Sequence, residues 1–451
     1  MNVYRLRLMD DGQIVVPHDL PATGDRRASV WPAVATLVAL AAVVAIAAAT
    51  RPASAIARAA PIPASPTVDG PAPAPATPWD QVVETLRLNA NAVVDGDEQA
   101  WLATVDPAQP TLRAHYSALF HELRVLGVTS FEYRPGIPVK SKTDPPTFTF
   151  PTHAFYCLGA DTCRGDPDVP QIDQKLTMKS VGGHYVITRS AIAADPHVAG
   201  PPPWLDGRLV FAEGSRVVLA ADPGEAKYLP AVLPMAEKAA ALNDKFATIL
   251  NATQTRYRVY LAGEKQWHSW YGGVSDNWAI GVVQPIGQYG VDVIIRIAEL
   301  HDDPRELQLT LQHELGHVVT LTGATQAVGL GDGWLAEGVA EYIGWSPLPA
   351  TKSLRLASVR TVLHGGHRPS SMIPALPGRD ASLRAGDAFY GLSHFAVDCM
   401  AHKYGQAAMF KFVRQILIFG ENHNDASRYA YGVPFAKVDK ACTTWIRQQA
   451  G

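Results

Sequence analysis

His313-Glu314-Leu315-Gly316-His317, followed by Gly333-Trp334-Leu335-Ala336-Glu337-Gly338-Val339-Ala340-Glu341-Tyr342, carries the chemistry of the chain. Two histidines four apart on a helix point the same way, about one turn up. Their ring nitrogens can share one tetrahedral cation. Glu314 between them lies beside that ion, where it can take a proton from a water the ion activates. Glu337, twenty residues after His317, falls on a second helical pattern and supplies a third ligand.

The first helix has its own start and stop signals. Asp303 is a good N-cap, Pro304 fits the first helical position, Glu306 completes a capping-box pattern, and Gly323 is a natural stop. At helical spacing Leu307, Leu311, Leu315 and Val318 share one face, with Thr310, His313, Glu314 and His317 opposite. That arrangement also fits a solvated surface helix, so the second segment carries weight. Asp332 can cap it and Gly344 can end it. Glu337 and Glu341 share a face among Trp334, Leu335, Val339, Ala340 and Ile343, and carboxylates buried there need partners. A cation would partner Glu337. Glu341, one turn on, can accept the outer N–H of His313 and fix its tautomer. The alternative is that both glutamates are solvated. Two His and one Glu leave a fourth position open for water, as in a catalytic site, and nitrogen plus carboxylate donors favour zinc, one ion per chain.

HELGH followed by GWLAEGVAEY resembles the gluzincin branch of zinc metallopeptidases, which includes thermolysin and the M1-like aminopeptidases. The resemblance covers roughly residues 207–420. It implies His313, His317 and Glu337 as metal ligands, Glu314 as general base and Glu341 as support for His313. It also implies hydrolysis of a peptide or protein substrate without a covalent intermediate. A zincin fold retained as a non-catalytic binding or scaffold protein is the alternative. The pattern G-x-M-E-N is absent before the helix, which leaves exopeptidase activity unsupported, and no third histidine follows in the metzincin pattern. The family implies a strand edge that holds extended substrate. The run Gly290 to Arg296, with Val291, Val293 and Ile295, is the candidate. An oxyanion donor is expected from the C-terminal half, with Tyr390 first and His394 in reserve. His364 and His367 are not counted as ligands, since three are already supplied.

The rest of the 451 residues frames this centre. A net charge of −3 argues for neither nucleic acid nor an acidic polymer as partner. Val30 to Ala49 runs twenty residues without a charge, enough for one membrane-crossing helix, with Arg26 and Arg27 before it and Arg51 after it. The expected order is a cytoplasmic tail (1–29), a transmembrane helix (30–49), a Pro/Ala-rich spacer (50–78) and a catalytic part outside the cytoplasm. Cleavage near Ala53-Ser54-Ala55 would instead release a secreted chain. Four cysteines in an exported chain suit two disulfides, Cys157–Cys163 and Cys399–Cys442; four unpaired thiols are the alternative.

The expected fold class is α+β, in two parts. Residues 79–204 show helical patterns and then strand-like runs, and resemble the cone-shaped NTF2-like fold. His153 and His184 fall on those runs as ordinary strand residues. Residues 205–451 form the zincin-like metallopeptidase domain. It opens with a hairpin (208–211 and 216–220), a long helix over 225–250, and strands at 257–261, 278–283 and 291–297. An irregular stretch over 345–385 precedes helices at about 390–403, 406–419 and 434–448.

Overall fold

Alternation in the strand runs determines how the chain layers. The computed structural model describes residues 76–159, 169–192, 200–274, 279–286, 290–324, 328–365, 369–378 and 381–451. These all fall within one compact unit. The expected tail, apolar segment 30–49 and most of the spacer lie outside the described residues, among which no helix is long and apolar enough to cross a membrane.

The first part packs helices α1 (Pro78–Asp95), α2 (Glu98–Ala103) and α3 (Pro110–Val125) on an antiparallel sheet. Its strands are β1 (Val128–Pro135), β2 (Val139–Lys140), β3 (Phe148–Leu158), β4 (Gln171–Val181) and β5 (His184–Ile192). They run in the order β1-β3-β4-β5, with β2 against β3. Thr77 opens α1 with a reciprocal capping box to Asp80, and Gly96 closes it at φ +83°.

A corner at Pro203–Asp206 leads into the second sheet, made of β6 (Val210–Glu213), β7 (Val217–Ala221), β8 (Tyr257–Ala262), β9 (Gly281–Pro285) and β10 (Val291–Arg296). β6 and β7 form the expected hairpin. β7 and β8 are parallel, which demands a crossover, and α4 (Leu229–Leu250) provides it. One-turn helices α5 (Glu264–Trp267) and α6 (Ile297–Leu300) follow β8 and β10. The sheet order is β6-β7-β8-β10-β9. Val217, Leu219 and Ala221 face the helical core, while Val218 and Ala220 face the core shared with the first sheet. Both faces are covered, so β7 reads as an unbroken apolar run. Between the sheets, Arg258 Nε donates to Asp292 Oδ1 at 2.6 Å and Arg258 Nη1 to the Leu158 carbonyl at 3.2 Å. Tyr271 Oη donates to Asp292 Oδ2 at 2.6 Å, so this buried pair has its hydrogen bonds filled.

The helical half consists of α7 (Pro304–Leu321), α8 (Gly333–Trp345), α9 (Leu356–His364), α10 (Leu383–Tyr404), α11 (Gln406–Leu417), α12 (His423–Tyr431) and α13 (Phe435–Ala450). Two helices differ from expectation. α9 lies inside the stretch expected to be irregular, because Val359 and Leu363 bury one face of it. α12 is short and mostly polar, which hid its period. The disulfide Cys399–Cys442 joins α10 to α13 as expected, with Cα atoms 5.6 Å apart. Cys157 is also disulfide-bonded, and Cys163 lies outside the described residues.

One titratable group fixes a pH response far from the metal ligands. Glu122 on α3 is 3% exposed, and its Oε1 accepts the Leu209 N–H at 2.7 Å. Burial pushes its carboxyl up to about 8; the Leu209 N–H opposes this and the Asp206 charge adds to it. The folded pKa exceeds the ordinary 4.5, so the associated stability is fully present below about 4.5 and lost as pH rises through about 8. Glu122→Gln keeps an acceptor for Leu209 and removes the titration. Urea unfolding should show near-equal stabilities at low pH and a gain of several kcal/mol, up to about 5, for the variant at high pH. A gap that does not widen with pH would assign the response to another group.

Candidate metal centre

Asp303 and two glycines place the site residues. The Asp303 carboxylate accepts the N–H groups of Arg305 and Glu306, both at 3.0 Å, which starts α7 where expected. Asp332 makes no capping bond to α8. Its carboxylate pairs instead with His423 at 2.9 Å. A Cβ on Gly316 would come 3.2 Å from the Ala340 Cα, and one on Gly344 3.2 Å from the His313 nitrogen, so these glycines let α7 and α8 lie close. Gly344 therefore serves helix contact rather than helix termination; α8 continues to Trp345. The solvated-helix alternative fails, because His313, Glu314, His317, Glu337 and Glu341 are each at most 8% exposed.

Three ligand atoms converge. His313 Nε2 lies 3.1 Å from both His317 Nε2 and Glu337 Oε2, and His317 Nε2 lies 3.2 Å from the same Oε2. Donors held 2.0–2.1 Å from a tetrahedral zinc ion sit about 3.3–3.4 Å apart, so this triangle has close to the size the ion requires. Glu341 Oε1 stands 3.1 Å from His313 Nδ1, off the ring N–H axis. A carboxylate there favours the proton on Nδ1 and leaves a lone pair on Nε2. Two ring nitrogens at 3.1 Å that both point lone pairs inward repel unless a proton or cation lies between them. The donor set thus fits a divalent ion, and His313, His317 and Glu337 are the residues that could hold it.

Charge around the triad is tightly paired. Burial pushes the His313 imidazole down, but Glu337 and Glu341 outweigh it and lift the group to about 10. Burial pushes the Glu337 carboxyl up, but His317 and His313 outweigh it and bring it to about 2. Glu341 likewise has burial outweighed, by Arg355 and His313, and stays well below the usual carboxylate range. Its Oε1 accepts from Arg355 Nε at 3.2 Å and its Oε2 from Trp345 Nε1 at 3.1 Å. Glu314 shifts the other way, since burial exceeds the pull of the two histidines.

His313, Glu341, Arg355 and Trp345 border a cavity of about 550 Å³. Glu314, Gly281 of β9 and Tyr390 of α10 all line it. Tyr390 is half-buried, its ring 5.6 Å from that of His313 and edge-to-face, with the Arg355 guanidinium 4.7 Å from its centre. Burial, with Glu337 and Glu314 adding, pushes its phenol well above the ordinary value, so it remains a donor. His394 is fully buried and absent from the lining. His364 ends α9 in an exposed position, and His367 lies outside the described residues.

The expected substrate edge is corrected. β10, with Val291, Val293 and Ile295, is an interior strand, paired parallel to β8 and antiparallel to β9. Its backbone groups are already used, and those three side chains are buried in the helical core. Among the described residues the sheet ends at β6 on one side and at β9 on the other, and β9 is the edge strand beside β10. A Cβ at Gly281 would collide with the Glu314 carboxylate, so glycine is what allows the strand to approach that side chain. Gly281→Val should displace Glu314 and lower turnover with zinc content unchanged, as read by metal analysis beside a peptide-cleavage assay. Full turnover would show that the carboxylate does not need that seat.

Sequence reasoning missed Arg355, Trp345 and Gly281. Trp345 lies four residues after Glu341, so helical spacing alone carried its signal. Arg355 and Gly281 come from loop-rich and edge segments where nothing local points to the site. No protein-family model matches the chain, and no curated protein matches it either. The centre therefore stands on its own geometry: a buried His/His/Glu triad that can hold a metal ion, with His313 at the wall of a cavity.

Proposed function

We propose that the chain is a zinc-dependent peptidase of gluzincin type, acting outside the cytoplasm and held to a membrane through residues 30–49. The observation that carries the reading is the buried triad of His313, His317 and Glu337, whose His313 lines the same cavity as Glu314. Zinc held there would supply a Lewis acid that activates water and polarises a carbonyl. Glu314 takes the proton from the attacking water and delivers it to the leaving amine. Its upward shift moves it toward neutrality, which suits both halves of that transfer. Tyr390, protonated and at the cavity wall, is placed to donate to the developing oxyanion. Extended substrate pairs with the free edge of β9, next to Glu314, in place of the interior β10. The decisive experiment is peptide-library cleavage by the purified ectodomain with and without a zinc chelator. Cleavage that the chelator stops supports the reading. Bound zinc without turnover across a broad library would leave a zincin-fold binding protein instead.

A further inference from the structure

The cavity beside the triad is unevenly charged. Two arginines line it, and carboxylates already hold both. Arg296 donates from Nε and Nη2 to Glu264 Oε1 and Oε2, both at 2.8 Å. Arg355 is held between Glu341 and Asp387. Two lining carboxylates are left over. Glu299 on α6 lies 3.7 Å from Arg296 Nη2, a nitrogen that Glu264 already occupies. Glu306 on α7 has no side-chain hydrogen bond or ion pair among the described residues. A divalent ion at the triad and Arg355 together would offset three of the four charges on Glu314, Glu337, Glu341 and Asp387. Glu299 and Glu306 remain as unmatched negative charge on the cavity wall.

Helical spacing sets where that charge lies. Glu306, Thr310, His313 and Glu314 all line the cavity from one face of α7. Glu306 precedes His313 by two turns, or about 10 Å along the axis. An extended peptide advances about 3.3 Å per residue, so that span is about three residues. Leu309, one turn from Glu306, and the exposed Leu383 also line the space. A long aliphatic stem can lie on such a surface while its charged head meets a carboxylate. Glu314 is a second and separate sign of a ligand. It is 5% exposed, lines the same cavity and makes no hydrogen bond among the described residues. A buried carboxylate without a donor needs a partner in the space it faces. The volume falls within the roughly 300–1,000 Å³ typical of ligand sites.

We propose that Glu306 and Glu299 make the site selective for a peptide with an arginine or lysine side chain within about three residues of the bond that is cut. This rests on the peptidase reading and names its substrate class. Glu306 also stands in the first turn of α7, where a negative charge favours the helix. A carboxylate placed for that purpose alone would be indifferent to the peptide.

The test uses acetylated, amidated alanine heptapeptides with one arginine at each position in turn, beside the same series with citrulline, an uncharged residue of nearly the same shape. Capped ends leave arginine as the only charge. Turnover is read with the zinc-loaded full chain, and binding, by calorimetry, with its Glu314→Gln variant. At the favoured position arginine should bind and react about tenfold better than citrulline, an advantage that shrinks as salt rises. Glu306→Gln and Glu299→Gln, singly and together, should bring that ratio toward one, with circular dichroism reporting the fold. Arginine preference in binding without any turnover supports the charge selection and removes the peptidase reading. Turnover with a ratio of one, or a ratio that survives the double variant, overturns the selection and leaves the peptidase standing. Failure of both series to bind overturns it as well.

Discussion

Glu314→Gln is expected to lower peptide hydrolysis by about 10³-fold while zinc remains bound. The two side chains have the same shape, and Glu314 is not among the three converging donors, so the triad loses nothing. What disappears is a carboxylate, seated against Gly281 and 5% exposed, that can accept and release a proton. Gln can do neither at neutral pH. Steady-state cleavage beside metal analysis checks both halves. Zinc at one per chain with wild-type turnover would remove Glu314 from the mechanism. Loss of zinc as well would make the variant uninformative about proton transfer, and Glu314→Asp, shorter but still a base, then supplies the comparison.

Glu341→Gln is expected to weaken zinc binding by about 10–100-fold, the usual cost of removing an outer partner of a metal-bound histidine. Glu341 meets His313, Arg355 and Trp345 at once. The amide keeps one acceptor but loses the charge that holds the His313 proton on Nδ1 and balances Arg355. His317→Ala is the reference, since it deletes one of the three ligands. Competition with a chelating dye gives the affinities. An unchanged affinity for Glu341→Gln, beside loss for His317→Ala, would confine Glu341 to packing.

Much of this centre was legible in the chain because its logic is local. Histidines four apart share a helix face whatever surrounds them, and Glu337 and Glu341 repeat that spacing on α8. Asp303 caps α7 through bonds to residues two and three positions on. The Cys399–Cys442 bridge was expected from the sequence as one of two pairings in an exported chain, which the even cysteine count allows but does not select. The substrate edge did not. Val291 to Ile295 and Gly281 to Pro285 are both short strand-like runs, and which one lies outermost depends on pairing order. β10 was the candidate as the last strand before α7, and that place in the chain does not say which strand pairs outermost.

The sequence by itself pointed to the three converging donors, the glutamate between two of them and the helices that carry them, since each rests on contacts within a few residues or on one repeated spacing. Only the tertiary structure decided that the histidines are buried rather than solvated, that Arg355 backs Glu341, that β9 is an edge strand, and that Glu299 and Glu306 share a cavity with Glu314. Those facts depend on elements far apart in the chain meeting, and no local period encodes which partner a face will find.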